Sequence, residues 1–120
     1  YRHVLEVTKD AVRGRMTVYA GANHITTAGA VELAKIAEEV GVDALSVLTP
    51  MFVSQTQDEL LAYYTTIANA TSLPIIIYNN KPKTNVTVAP ETVRKLAQIK
   101  NIVVSEGSIK GENISITEIK

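Results

Sequence analysis

Four short runs of apolar and β-branched residues recur along this chain at nearly even separation, and no other feature limits its fold as strongly. The runs are Met16 to Ala20, Ala44 to Leu48, Pro74 to Tyr78 and Asn101 to Val104, and their starts lie 27 to 30 residues apart. One strand, a loop, a helix and a return loop fill such an interval. The stretches between the runs carry helical patterns. Val31, Leu33, Ala34, Ala37 and Val40 form an apolar stripe, opened by Thr26 or Thr27 as cap and closed by Gly41. Thr56-Gln-Asp-Glu59 has capping-box spacing and leads into Leu60, Tyr64, Ile67 and Ala68, before Thr71-Ser-Leu-Pro74 stops the helix. Pro90 suits the first position of a third helix running through Val93, Leu96 and Ala97 to Ile99. Val4 to Val12 is also helical in pattern, and Ile116 to Lys120 can start another helix.

Helices alternating with near-continuous apolar strands predict an α/β fold with a parallel sheet, because a sheet with one wet face would alternate polar and apolar residues. An open doubly wound sheet and a closed (β/α)8 TIM barrel both fit. Even spacing and the lack of a Gly-rich phosphate loop favour the barrel. A whole barrel takes about 250 residues, whereas this chain has 120 and begins without methionine inside an element. Residues 1–120 are therefore expected to form one partial barrel domain, with the parts before and after it missing. Four strands leave two sheet edges and a barrel interior open, so the isolated chain is expected to associate.

Composition removes several function classes. The 12 basic residues balance 12 acidic ones and are scattered, which leaves no field for a phosphate backbone and argues against nucleic acid. No stretch has the length of a membrane span, and the first residues lack the layout of a signal peptide, so the cytoplasm is the default location. The absence of cysteine excludes a disulfide framework, a thiolate zinc site and a cysteine nucleophile.

In both architectures function gathers at the C-terminal ends of the strands. The third of these loops, Tyr78-Asn-Asn-Lys-Pro-Lys-Thr-Asn85, is the richest in polar chemistry. Tyr78 can carry a proton at the mouth of an apolar barrel, or simply cap the core with a hydrogen-bonded hydroxyl. Lys83 can hold a substrate carboxylate as a point charge, or be an ordinary solvated loop lysine. His24 has no second histidine or carboxylate at ligand spacing, so no metal site is expected. Tyr63-Tyr64 reads as a packing face or a subunit contact.

Ala20-Gly-Ala-Asn-His-Ile-Thr-Thr27, Gly41-Val-Asp-Ala44, Val47-Leu-Thr-Pro50, Leu73-Pro-Ile-Ile-Ile-Tyr-Asn79 and Asn101-Ile-Val103 together resemble the dihydrodipicolinate synthase and N-acetylneuraminate lyase family. The resemblance implies a (β/α)8 barrel of which this chain covers roughly strands 3–6, assembled as a homotetramer in the full-length protein. It implies a lyase or synthase that joins pyruvate or another 2-keto acid to an aldehyde, or cleaves the product, through a lysine Schiff base without metal or organic cofactor. Lysine biosynthesis and sugar-acid breakdown both occur in such a family, so an N-acetylneuraminate lyase or a 2-keto-3-deoxy sugar acid aldolase are alternatives within the class. Tyr78 matches the family's proton-shuttling tyrosine. Thr49 keeps the strand-end turn and, with Phe52 and Lys83, falls among the substrate-binding positions. Lys83 replaces an arginine and so loses its bidentate fork. Phe52 stands where the synthase branch has a tyrosine that reaches a neighbouring subunit's proton relay.

The sixth-strand motif departs most. Counting from Asn101, Glu106 occupies the Schiff-base position and cannot form an imine, while Lys110, the candidate catalytic lysine with Tyr78, lies four residues later in an expected loop. A carboxylate there would repel a keto acid. One explanation is a non-catalytic fragment or degenerate homologue. The other is a pair of compensating frame errors, near Val104 and before Asn113. Ser105-Glu-Gly-Ser-Ile109 can be encoded so that the same bases, read one position later, give Val-Lys-Glu-Ala. If the second explanation holds, resequencing the coding DNA will find codons that allow this shifted reading; codons that forbid it end the idea.

Overall fold

Side-chain caps open the helices Thr27–Val40 and Gln57–Ala70, whereas Arg2–Val12 and Pro90–Leu96 start without one. The computed structural model describes residues 1–103 and the backbone of residues 109–110 and 113–114. Helix α1 (Arg2–Val12) ends on Arg13 in the left-handed region, followed by Gly14. In α2 (Thr27–Val40) the Thr26 hydroxyl accepts from the Gly29 N–H, and Gly41, at φ 89°, returns its N–H to the Ala37 and Glu38 carbonyls. Helix α3 (Gln57–Ala70) carries the full capping box: Thr56 accepts from the Glu59 N–H and the Glu59 carboxylate accepts from the Thr56 N–H. Helix α5 (Pro90–Leu96) begins on its proline.

Between these helices lie β1 (Tyr19–Gly21), β2 (Ala44–Leu48), β3 (Ile75–Tyr78) and β4 (Ile102–Val103). They form one parallel sheet in the order β1-β2-β3-β4. Each new strand is added on the same edge, and right-handed crossovers then place every connecting helix on one face. A doubly wound sheet would reverse its order and put helices on both faces. This topology is that of a barrel segment.

The register divides the sheet into two faces because side chains alternate along a strand. Leu45 pairs with Ile75, and Ile75 with Ile102; this row, with Ala20 and Val47, packs under the helices. The next row, Gly21, Ser46, Ile76 and Val103, faces the opposite way, as do Leu48 and its partner Tyr78. Against the covered face α2 sets the small side chains Ala30, Ala34 and Ala37, and α3 sets Leu60, Tyr63, Tyr64, Ile67 and Ala68. The paired tyrosines are thus a packing face: their rings meet edge to face at 5.2 Å, and the Tyr64 hydroxyl donates to the Val47 carbonyl at 3.0 Å. Burial pushes the Tyr63 phenol up to about 12 and raises that of Tyr64 as well.

Several boundaries differ from the sequence expectation. Strand β1 starts at Tyr19 rather than Met16. Ahead of it, Val18 gives its N–H to the Asp43 carboxylate at 2.8 Å and accepts the Asp43 N–H at 2.9 Å, so residue 43 engages the chain before the ladder begins. Helix α5 stops at Leu96, with Ala97 as its cap. Residues 81–84, expected as loop, form a single helical turn, α4 (Lys81–Thr84). Lys110, also expected in a loop, falls in β5 (Ile109–Lys110), which pairs antiparallel with β6 (Asn113–Ile114) apart from the main sheet. Glu106 and the expected helix at 116–120 lie outside the described residues.

Asn101 fastens the entry to β4. Its amide nitrogen lies 3.0, 3.0 and 3.1 Å from the carbonyls of Ala68, Thr71 and Leu73, linking the end of α3, the connection and the approach to β3. Asn101→Ala is expected to cost about 1–3 kcal/mol, since these carbonyls lose their donor. Asn101→Asp is expected to cost more at neutral pH, where an anion would face three carbonyls. Those carbonyls raise the folded-state value of the new carboxyl, so its penalty is absent below the unfolded value of about 4 and grows as pH rises through the folded one. Urea denaturation at pH 3.5 and pH 7 checks both; an Asp variant with no added pH dependence would contradict the assigned contacts.

Candidate active site

Three of the strands deliver their C-terminal ends to one side of the sheet, and the residues following them fall into two layers. The lower layer is structural. Asn23, after β1, accepts the Leu48 N–H on its side-chain oxygen at 2.8 Å and so closes the end of β2. His24 accepts from the Thr26 N–H on Nδ1 at 3.0 Å, and its ring lies over the first turn of α2. Only a glycine at position 29 allows this, because a Cβ there would stand 2.3 Å from the ring nitrogen. His24 is thus an exposed residue whose ring rests beside the Thr26 cap of α2.

The upper layer is built around Thr49 and Tyr78. The Thr49 N–H donates to the Tyr78 carbonyl at 3.2 Å, extending the β2–β3 ladder one step beyond the strands. Thr49 is only 1% exposed, and its hydroxyl donates to the Thr84 hydroxyl at 3.0 Å. Thr84 lies 3.1 Å from the Asn80 carbonyl, which also accepts the Lys83 and Thr84 N–H groups, each at 3.0 Å. A buried hydroxyl pair thus ties the single turn of α4 to the end of β2. Asn79 accepts the Val88 N–H at 3.3 Å, and its buried amide nitrogen has no hydrogen-bond partner among the described residues.

Tyr78, 45% exposed, stands on the uncovered face beside Leu48. Its hydroxyl accepts from the Asn80 amide at 3.1 Å. Lys83 is exposed on α4. Phe52 lies in the turn after Thr49, 90% exposed and with φ 72°, a conformation a bulky side chain rarely adopts. The structure thus joins Thr49 to Tyr78 directly and to Lys83 through α4, and sets Phe52 outside this cluster. Glu106 lies outside the described residues, and of Lys110 only the backbone is described.

Residues 22–26, 49–55 and 79–85 contain two lysines, Lys81 and Lys83, and no aspartate or glutamate. Among the described residues no three His, Asp or Glu side chains come together to hold a metal ion, and no helix is long and apolar enough to cross a membrane. Asn80 and Thr84 carry contacts that spacing alone does not reveal. The available signal was Asn80 before Pro82, with Asn85 closing the turn: an N-cap type, an early proline and a left-handed cap.

Residues 1–117 match the family model of the Dihydrodipicolinate synthetase family. The chain is 43% identical over 117 residues to the 4-hydroxy-tetrahydrodipicolinate synthase of Mesorhizobium japonicum, covering 96% of this chain and 40% of that protein. Its structure overlays the 4-hydroxy-tetrahydrodipicolinate synthase of Methylacidiphilum fumariolicum SolV with a TM-score of 0.84 at 34% identity, over 89% of this chain and 37% of the other. It also overlays a chloride-inhibited dihydrodipicolinate synthase from Acinetobacter baumannii complexed with pyruvate, with a TM-score of 0.83 at 35% identity, over 85% and 35%. These neighbours are TIM barrels. The chain spans about two fifths or less of the length of these relatives.

Thr49→Val keeps the volume and removes the hydroxyl that reaches Thr84. Losing one buried hydrogen bond of about 1 kcal/mol corresponds to roughly fivefold faster opening. Amide exchange at Lys83, Thr84 and Asn85 is expected to accelerate by that factor while Leu45 and Val47 stay unchanged; equal exchange at all five amides would mean that the hydroxyl pair does not hold α4.

Proposed function

The chain belongs to the dihydrodipicolinate synthetase family, and from that premise we propose that it is part of a (β/α)8 barrel enzyme that joins pyruvate or a related 2-keto acid to an aldehyde, or runs the reverse cleavage, through a lysine Schiff base. The observation that carries the reading is the Tyr78 hydroxyl, half-exposed at a strand's C-terminal end on the uncovered face, in a mouth whose described loops hold two lysines and no carboxylate. The pyruvate bound by the Acinetobacter baumannii relative supports the substrate class. In the proposed reaction a lysine nitrogen bonds to the ketone carbon. Tyr78 relays the two protons of that nitrogen in turn to the former carbonyl oxygen, the first giving the carbinolamine hydroxyl and the second releasing it as water as the C–O bond breaks and the imine forms. Lys83 attracts the keto acid's carboxylate as a point charge. Thr49 acts through Thr84 by holding the turn that carries Lys83, while Phe52, exposed and without a hydroxyl, supplies an apolar contact at the rim.

Lys83 and Phe52, in place of the synthase branch's arginine and tyrosine, fit a broader 2-keto acid aldolase as well as a synthase. On this reading residues 1–120 are one segment of a single barrel domain, and the complete protein is a cytoplasmic homotetramer with small-molecule substrates and no bound cofactor. A second reading rests on Glu106: the chain as written is a non-catalytic homologue.

Borohydride reduction in the presence of pyruvate, followed by intact-mass and peptide analysis, separates the two. The enzymatic reading expects a reduced adduct on a lysine between Val104 and Lys110. Absence of an adduct, with the tryptic mass confirming Glu106, would leave only the non-catalytic reading.

A further inference from the structure

The contact between Asn80 and Tyr78 has a direction that matters for proton transfer. The Asn80 side-chain nitrogen donates to the Tyr78 hydroxyl oxygen at 3.1 Å. A phenol oxygen offers lone pairs and one proton, so a donor on one side sends the phenol's own proton to the other. Here the donor is Asn80, at the N-cap position of α4, and the proton is directed away from that turn. Asn80 is not a loosely placed loop residue: its carbonyl accepts the Lys83 and Thr84 N–H groups at 3.0 Å and lies 3.1 Å from the Thr84 hydroxyl, which Thr49 in turn anchors to β2. The carbonyl of Tyr78 is fixed from the same side by the Thr49 N–H at 3.2 Å. Tyrosine, amide and turn therefore form one closed set of contacts.

We propose that Asn80 is a positioning residue for Tyr78, its amide aiming the phenol proton away from α4 and stabilising the phenolate oxygen left when that proton is given up. The inference rests on the reading of Tyr78 as the proton carrier. A donor aimed at an oxygen where charge develops favours the charged form. An amide does this without adding a charge, so it leaves the attraction of the mouth for a keto acid unaltered. Replacing the amide with a carboxylate would reverse the bond: the phenol would donate to position 80 and its proton would be withheld.

Phenolate absorbance during alkaline titration, taken as the difference from the Tyr78→Phe variant, isolates this one tyrosine. Asn80→Ala is expected to move the Tyr78 midpoint upward, because the phenolate loses a hydrogen-bond donor. Asn80→Asp is expected to move it further, while circular dichroism shows both variants folded as the parent is. An unchanged midpoint in both folded variants would overturn the proposal. Failure of the catalytic reading shows separately: in the complete protein Tyr78→Phe would then leave the rate of pyruvate adduct formation unchanged, whatever the titration gives. If both hold, Asn80→Ala lowers kcat with little change in KM and shifts the alkaline limb of the pH profile in step with the titration.

Discussion

Parallel pairing of Leu45–Leu48 with Ile75–Tyr78 is the constraint on which the rest of the structure depends. Side chains alternate along a strand, so a slip of one residue would exchange the two faces of the sheet. In the observed register Leu45, Val47 and Ile75 go under the helices and are fully buried. The same register sends Ser46, Ile76, Leu48 and Tyr78 to the face that carries no helices. The tyrosine reaches the mouth because three preceding isoleucines occupy the strand in that phase. Asn101 secures the phase from below, where its amide meets three carbonyls at the α3–β3 connection.

Above the strands, the polar groups are divided between holding and presenting. Asn23, His24, Thr49 and Thr84 spend their hydrogen bonds on the scaffold. Tyr78 and Lys83 remain presented, one half-exposed and the other exposed. Hydroxyls and amides fix the described loops, and Lys83 stays exposed on α4. On the proposed reading Lys83 meets the anionic keto acid, and the proton carrier Tyr78 has its oxygen held by Asn80.

The legibility of this chain follows the physics of each element. Strand β2 matches its expected run from Ala44 to Leu48, and α2 and α3 are capped at Thr26 and Thr56, because caps and apolar periodicity are local signals. The order of the strands and the one-sided helical layer follow from even spacing and crossover handedness. Strand β1 was expected three residues too early because Met16 to Val18 have strand composition, whereas the Asp43 carboxylate sets where pairing begins. Helix α4 escaped because one turn has no periodicity to read. The hydroxyl contact between Thr49 and Thr84 spans 35 positions, and no local pattern announces it. Tyr78 was legible as a strand-end phenol, but its partner was visible only as one of two adjacent amides. Residue spacing leaves Tyr78 open between proton carrier and core cap, and the family resemblance implies the first.

Four strands with helices on one face form a layer that is incomplete on the other. The rest of a barrel would cover Ile76, Val103 and Leu48, and would pair the outer edges of β1 and β4. Light scattering of the folded 120-residue chain over a range of concentrations tests this most directly. An average mass above the 13.0 kDa of one chain, rising with concentration, is expected. A monodisperse species at that single-chain mass, with α/β circular dichroism intact, would contradict the barrel-segment interpretation.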